Sequence, residues 1–245
     1  MSVLNLDIYT IIMLLFSGNI LVLVILISYK GIKPAEHSYR RFFAGKMFQA
    51  TAWLLLGLRN YIPDIVSIYI ANTLLFSGVA LESCALITVN QEKQNWSRIY
   101  IVFTLIGISV FWIIDGGPNM RVSIASSVTL LLFGTASVEM IRTSSGSMLQ
   151  RTIGIMYGLF CFILLFRAGF AFFALREFTL MTRNPVQAFS FIALFFFMVA
   201  GGVGFLLMLK ERDDRLLSEQ EYKYRILVEK AGEAIVIVQD GMLVF

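Results

Sequence analysis

The stretch VQAFSFIALFFFMVAGGVGFLLML, residues 186–209, decides how the rest of the chain must be read. A helix of that length is about 36 Å long at 1.5 Å per residue, enough to cross the roughly 30 Å hydrocarbon core of a bilayer. Lys210-Glu211-Arg212-Asp213-Asp214-Arg215 then stop it abruptly. Working back toward the N-terminus, six further apolar runs of similar kind appear, at residues 8–29, 42–61, 65–89, 99–114, 122–141 and 152–175. Turn-forming or charged segments separate them: Pro63-Asp64, Gln91-Glu92-Lys93-Gln94-Asn95, Asp115-Gly116-Gly117-Pro118-Asn119 and Arg183-Asn184-Pro185. The fourth run is the shortest, and dropping it would break the alternation of loops. The expectation is an all-α membrane protein, a bundle of seven transmembrane helices.

Composition points the same way. Of 245 residues, 58% are hydrophobic and only 15% charged, whereas a soluble domain carries about 25% charged residues. The first run has no Lys or Arg before it, and Lys30, Lys33, Arg40, Arg41 and Lys46 follow it. A secretory signal peptide has its positive charge first, so the run reads as a retained helix with its N-terminus outside. Lys and Arg in the flanks agree. On the side of the C-terminal tail stand Lys30, Lys33, Arg40, Arg41, Lys46, Lys93, Arg98, Arg142, Arg151, Lys210, Arg212 and Arg215, against Arg59, Arg121, Arg176 and Arg183 on the other. Twelve against four predicts a multi-pass protein of the cell membrane with a cytoplasmic C-terminus. The lone histidine, His37, sits in a basic loop and cannot build a bis-His haem or a zinc cluster. Cys84 and Cys161 fall inside apolar runs and read as small buried side chains. No catalytic set, cofactor, metal site or nucleic-acid partner is expected.

Residues 211–228 read as a charged helix continuing the seventh run. Leu209 and Leu216 are spaced at seven, as are Leu217 and Tyr224, which gives an imperfect heptad and a homodimeric coiled coil as one outcome. Beyond Gly232 the pattern changes: Ala234-Ile235-Val236-Ile237-Val238 is β-branched, Asp240-Gly241 is a hairpin turn signal, and Met242-Leu243-Val244-Phe245 begins a second strand. A lone hairpin is marginal in water, so the chain is expected to be a fragment of something longer.

The tail from Tyr224 to Phe245, with its short helix, strand, Asp-Gly turn and strand, resembles the opening of a PAS domain. Gly57-Leu58-Arg59-Asn60-Tyr61-Ile62-Pro63-Asp64, with Ser67-Ile68 and Ala71-Asn72-Thr73-Leu74-Leu75, resembles the N-terminal membrane region of bacterial sensor histidine kinases and diguanylate cyclases. The resemblance implies a seven-helix sensor domain at 1–209, a cytoplasmic signalling helix at 210–228 and the start of an α+β PAS domain at 229–245. A histidine kinase would follow, with a diguanylate cyclase as the alternative. No phosphoacceptor-His motif or cyclase signature stands in these residues, so the output enzyme is implied by the resemblance alone.

Ionisable groups inside a bilayer cost roughly 2.5–3.5 kcal/mol each on insertion scales and so need a reason. Arg167, between Phe166 and Ala168, is the clearest, and Glu82 is the second. Their positions in their runs differ by about 10 Å in depth, which argues against a direct pair. Arg167 groups better with Arg59, Asp115, Arg176 and Glu177, as a cation-rich outward pocket for a small anionic ligand or a lipid headgroup. The plainer alternative is that Arg167 snorkels or pairs with Asp115. Glu82 is expected to bond Asn72, Ser83 or a neighbouring helix. Gly154 with Gly158, and Ala200 with Gly204 beside Gly201 and Gly202, make small-residue faces for helix packing, with a dimer face on the seventh run as the alternative. A transporter or lipid-binding protein is the competing functional class, although no internal repeat supports transport. The lack of His-Glu-x-x-His, with the single His in a loop, ranks an intramembrane enzyme lowest, and the lack of any lysine in 186–209 disfavours a retinal protein.

Overall fold

The computed structural model describes residues 8–29, 37–89, 96–114, 116–143, 147–175, 178, 185–230, 237–239 and 242–244. The chain divides into two compact units, Met1–Met208 and Leu209–Phe245. Among the described residues stand seven long helices: α1 (Ile8–Ser28), α2 (His37–Gly57), α3 (Ala71–Thr88), α4 (Trp96–Ile113), α5 (Gly117–Arg142), α6 (Met148–Phe173) and α7 (Pro185–Lys230). A π-helical segment, Ile65–Ile70, leads directly into α3.

Six of these helices, counting the π-helical segment with α3, are long and apolar enough to cross a membrane. Among the described residues α2 alone of the seven falls outside that set. Its 21 residues include His37, Arg40, Arg41, Lys46 and Gln49, which lower its hydropathy without shortening it. The first unit holds polar groups within its hydrophobic interior and turns apolar side chains outward. Asn19, Lys46, Gln49, Glu82, Arg167 and Gln187 are buried, whereas Leu21, Val24, Ile101, Leu105, Phe162, Leu165, Phe166 and Phe196 are exposed. An apolar exterior this extensive needs lipid around it, and in lipid a helix satisfies its own backbone hydrogen bonds.

The helices alternate in direction, as bonds near their ends show. Asn60 Nδ2 donates to Tyr9 Oη (3.0 Å), Trp112 Nε1 to Thr73 Oγ1 (3.0 Å), Arg121 Nη2 to Tyr69 Oη (3.1 Å) and Asn119 Nδ2 to the Ala174 carbonyl (2.9 Å). These bonds gather the start of α1, the end of α2, the start of α3, the end of α4, the start of α5 and the end of α6 at one end of the bundle, the Arg59 end. At the opposite, Thr88 end, Ser38 and Thr88 hydroxyls lie 3.1 Å apart and Tyr39 Oη donates to the Leu26 carbonyl (3.3 Å). Helix α3 is the centre of the unit, with an unbroken buried run from Glu82 to Thr88. Helix α4 is peripheral: it buries only Tyr100, Thr104, Gly107 and Phe111, one stripe at helical spacing, and leaves the rest of its surface to the exterior.

Several helices start further upstream than the apolar runs imply, α2 at His37 and α4 at Trp96 among them. Helix α5 begins at Gly117 instead of residue 122, because Pro118 occupies its first turn, where the missing N–H costs nothing. Helix α6 begins at Met148 instead of residue 152, capped by Ser147, whose Oγ accepts from the Gln150 N–H at 3.1 Å. Small residues set the closest approaches. Gly45 on α2 and Gly78 on α3 face each other so tightly that a Cβ on either would lie 2.8 Å from the other's carbonyl oxygen. Gly154 and Gly158 pack against Ser137 of α5, Gly202 against Val22 of α1, and Gly204 against Ile153 of α6. Gly154 and Gly158 of α6 and Gly202 and Gly204 of α7 are thus used for packing within the bundle.

In the second unit, β1 (Ile237–Gln239) and β2 (Met242–Val244) pair antiparallel, Gln239 opposite Met242. The Asp240-Gly241 turn and Ala234, Ile235 and Val236 lie outside the described residues.

Candidate functional site

Among the described residues of the first unit, the buried charged side chains fall into two groups at different levels. The lower one starts on α2, whose inward face presents Phe42, Lys46, Gln49, Trp53 and Leu56 at steps of three and four residues. Lys46 Nζ lies 2.8 Å from Glu82 Oε2 on α3, with both side chains almost wholly enclosed. Gln49 Nε2 donates to the same oxygen at 2.6 Å, and Tyr157 Oη of α6 donates to Glu82 Oε1 at 2.7 Å. Lys46 also reaches Gln49 Oε1 at 3.5 Å and stands 5.2 Å from the centre of the Phe42 ring. Phe205 of α7 stacks on Phe42, with ring centres 3.9 Å apart and planes 2° from parallel. A Cβ at Gly201 of α7 would lie 2.2 Å from Tyr157 Oη, so only glycine allows α7 to close over the Tyr157–Glu82 bond. The group is neutral overall, and each charged atom faces a partner, as a buried ion pair requires.

The upper group centres on Arg167 of α6, which is only 8% exposed. Its Nη1 donates to Ser126 Oγ of α5 (2.7 Å), its Nε donates to Gln187 Oε1 of α7 (3.1 Å), and its guanidinium lies 5.3 Å from the Phe191 ring centre. Among the described residues no carboxylate pairs with it. Arg167 also borders a cavity of about 60 Å³ at the Arg59 end, lined by Arg59, Asn72, Arg121, Phe111, Pro118 and Val122 among others. Three guanidinium-bearing side chains from the α2–α3 connection, α5 and α6 therefore share one cavity, and none of its described lining residues is acidic.

Several sequence expectations meet this geometry directly. Arg59, Arg167 and Asn72 come together at the cavity, which Arg121 joins. Asp115, Arg176 and Glu177 lie outside the described residues. Arg167 neither snorkels nor hangs free: it is hydrogen-bonded deep in the bundle. Asn72 is not a partner of Glu82; its Nδ2 donates to the Ile68 carbonyl at 2.6 Å within its own helical stretch. Ser83 is not a partner either, since its Oγ is buried and unbonded. Glu82 and Arg167 keep separate partners, as their depths require. Lys46 is the largest correction. Counted as a flanking cation, it is fully buried and neutralises Glu82, because its place in the α2 pattern of buried positions faces it inward. That spacing was the available signal for Lys46 and Gln49. Arg121 carried a similar one, a step from Val122 and Ala125 on the cavity side of α5.

Fold and site together define a multi-pass α-helical membrane protein whose interior holds one neutralised polar group and one cationic cavity. Comparison with protein-family models, curated proteins and solved structures gave no match for this chain.

Proposed function

We propose that the chain is the membrane input region of a bacterial signal-transduction protein, with all seven helices spanning the bilayer. The single observation that carries the reading is α7, which contributes Gln187, Gly201 and Phe205 to the buried polar groups and continues as helix to Lys230. A rearrangement at either polar group acts on α7 directly, and helix is the form in which a small shift travels along a chain without being absorbed. A stimulus operates such a device only by binding two arrangements with different affinity.

Helix α2 belongs with the spans despite its composition, because its polar side chains face inward and Met47 and Phe48 face out. With Lys46 removed from the flank count, eleven cations remain in the sequence flanks on the side of the C-terminal tail against four on the other. That bias supports an outside N-terminus and a cytoplasmic C-terminus. The PAS-like tail supports a PAS domain with a histidine kinase beyond it, or a diguanylate cyclase in its place. Leu216, Leu217, Tyr224 and Leu227 are exposed on residues 209–230 of the chain, which supports homodimerisation through that segment.

Single cysteines placed along 211–228, with Cys84 and Cys161 replaced, test the relay in native membranes. Cross-linking should peak every three to four residues, and Glu82→Gln should change the pattern. A flat profile, or one that ignores Glu82→Gln, would remove the relay.

A further inference from the structure

The cationic cavity does not end at its arginines. A second cavity of about 70 Å³ shares Leu56, Asn72, Ala125 and Arg167 with it, and its wall is mostly apolar, including Trp53, Leu75, Phe133, Phe160, Leu164 and Met198. We infer that the two chambers together take one small amphiphilic monocarboxylate, with its carboxylate on the guanidinium groups and its tail in the apolar chamber.

Charge is the first reason. Arg59, Arg121 and Arg167 line one chamber whose described wall contains no acidic residue, and guanidinium groups match a carboxylate in shape and charge. Arg167 in particular is buried on neutral partners, Ser126 and Gln187, an arrangement in which an arriving anion supplies the missing charge. Shape is the second. A predominantly apolar chamber with a few convergent polar groups at one end is the usual build of a small-molecule site. A purely inorganic anion would leave the apolar chamber unfilled, and a neutral hydrocarbon would leave Arg167 on its neutral partners Ser126 and Gln187. Size is the third. At about 10–15 Å³ per water-sized group, each chamber holds only a handful of such groups, which selects six-carbon acids or benzoate over long-chain fatty acids.

The inference rests on the sensory reading for its biological meaning, while binding itself does not depend on the relay. The test uses the full chain in nanodiscs of phosphatidylcholine, titrated calorimetrically with hexanoate, butyrate, 1-hexanol and inorganic phosphate. Hexanoate should bind more than tenfold tighter than butyrate, given about fourfold per buried methylene. Hexanol and phosphate should each bind at least tenfold more weakly than hexanoate. Arg59→Gln, on the connection between α2 and α3, should weaken hexanoate about tenfold while leaving the melting temperature near that of the parent chain, and Arg121→Gln should weaken hexanoate to a similar degree. Repeating the titration in phosphatidylglycerol separates two sources of the anion: unchanged affinity means a free carboxylate, and competition means a lipid headgroup reaching the same cations. Equal binding of hexanol and hexanoate, hexanoate binding untouched by both arginine variants, or no hexanoate binding would each overturn the site. Cross-linking along 211–228 that responds to Glu82→Gln without any hexanoate binding would remove the site and leave the relay. Hexanoate binding with a flat cross-linking profile would do the reverse.

Discussion

The group around Glu82 and the group around Arg167 lie in the same bundle, on the same helices α6 and α7, and differ in one respect that separates structure from function. Around Glu82 the charges cancel: Lys46, Gln49 and Tyr157 all point at one carboxylate, and Gly201 lets α7 close over it. Around Arg167 a full positive charge rests on a hydroxyl and an amide and borders empty space shared with two more arginines. A polar group that completes itself fixes how helices pack. One that is left incomplete, with a cavity beside it, has an affinity to use.

The largest test of that contrast is Glu82→Ala, which leaves Lys46 buried without its counter-charge. A loss of about 3–5 kcal/mol is expected, read as a fall in melting temperature in detergent, and the double variant Lys46→Met with Glu82→Met should recover most of it. A double variant as unstable as the single one would show that the pair is not simply self-compensating.

Next comes the backbone contact that brings Lys46 and Glu82 together. Gly78→Val places a Cβ 2.8 Å from the Gly45 carbonyl oxygen and from Gln49 Cγ and should cost about 1–3 kcal/mol. Gly169→Ala, where a Cβ meets nothing within 4 Å, should be neutral or stabilising by up to about 1 kcal/mol. Equal effects at the two glycines would mean that the α2–α3 contact does not set the spacing of the ion pair.

Single hydrogen bonds sharpen the comparison most. Tyr157→Phe strips a hydrogen bond from a buried carboxylate and Ser126→Ala strips one from the buried Arg167 guanidinium. Each is a bond to a charged group worth about 1.5–3 kcal/mol, and the second should cost less because water in the adjoining cavity can replace the lost hydroxyl. Thermal unfolding of both in one detergent gives the order directly. If Ser126→Ala proved the costlier, the upper group would be the structural one.

Much of the fold was legible because lipid thickness and the backbone's need for internal hydrogen bonds act on each segment alone. Run lengths therefore placed seven helices, and the stop at Lys210 to Arg215 marked where the apolar part of α7 ends. The site was legible only in part. Arg167 stood out because a lone arginine between Phe166 and Ala168 is conspicuous in any apolar run, and Arg59 was grouped with it from depth. Lys46 was misread because it stands near the polar start of its helix among Arg40 and Arg41, where a cation is ordinarily a flank.

What the sequence by itself determined is thus the membrane class, the number of long helices, and which charges needed explaining. What only the tertiary structure decided is which of those charges meet. Lys46 and Glu82 are 36 residues apart, and Arg59 and Arg167 are 108. Whether such residues face one another depends on the rotation of each helix about its axis and on how closely backbones approach at Gly45, Gly78 and Gly201. Those quantities are set by packing between helices, and no local pattern along one of them contains its partner.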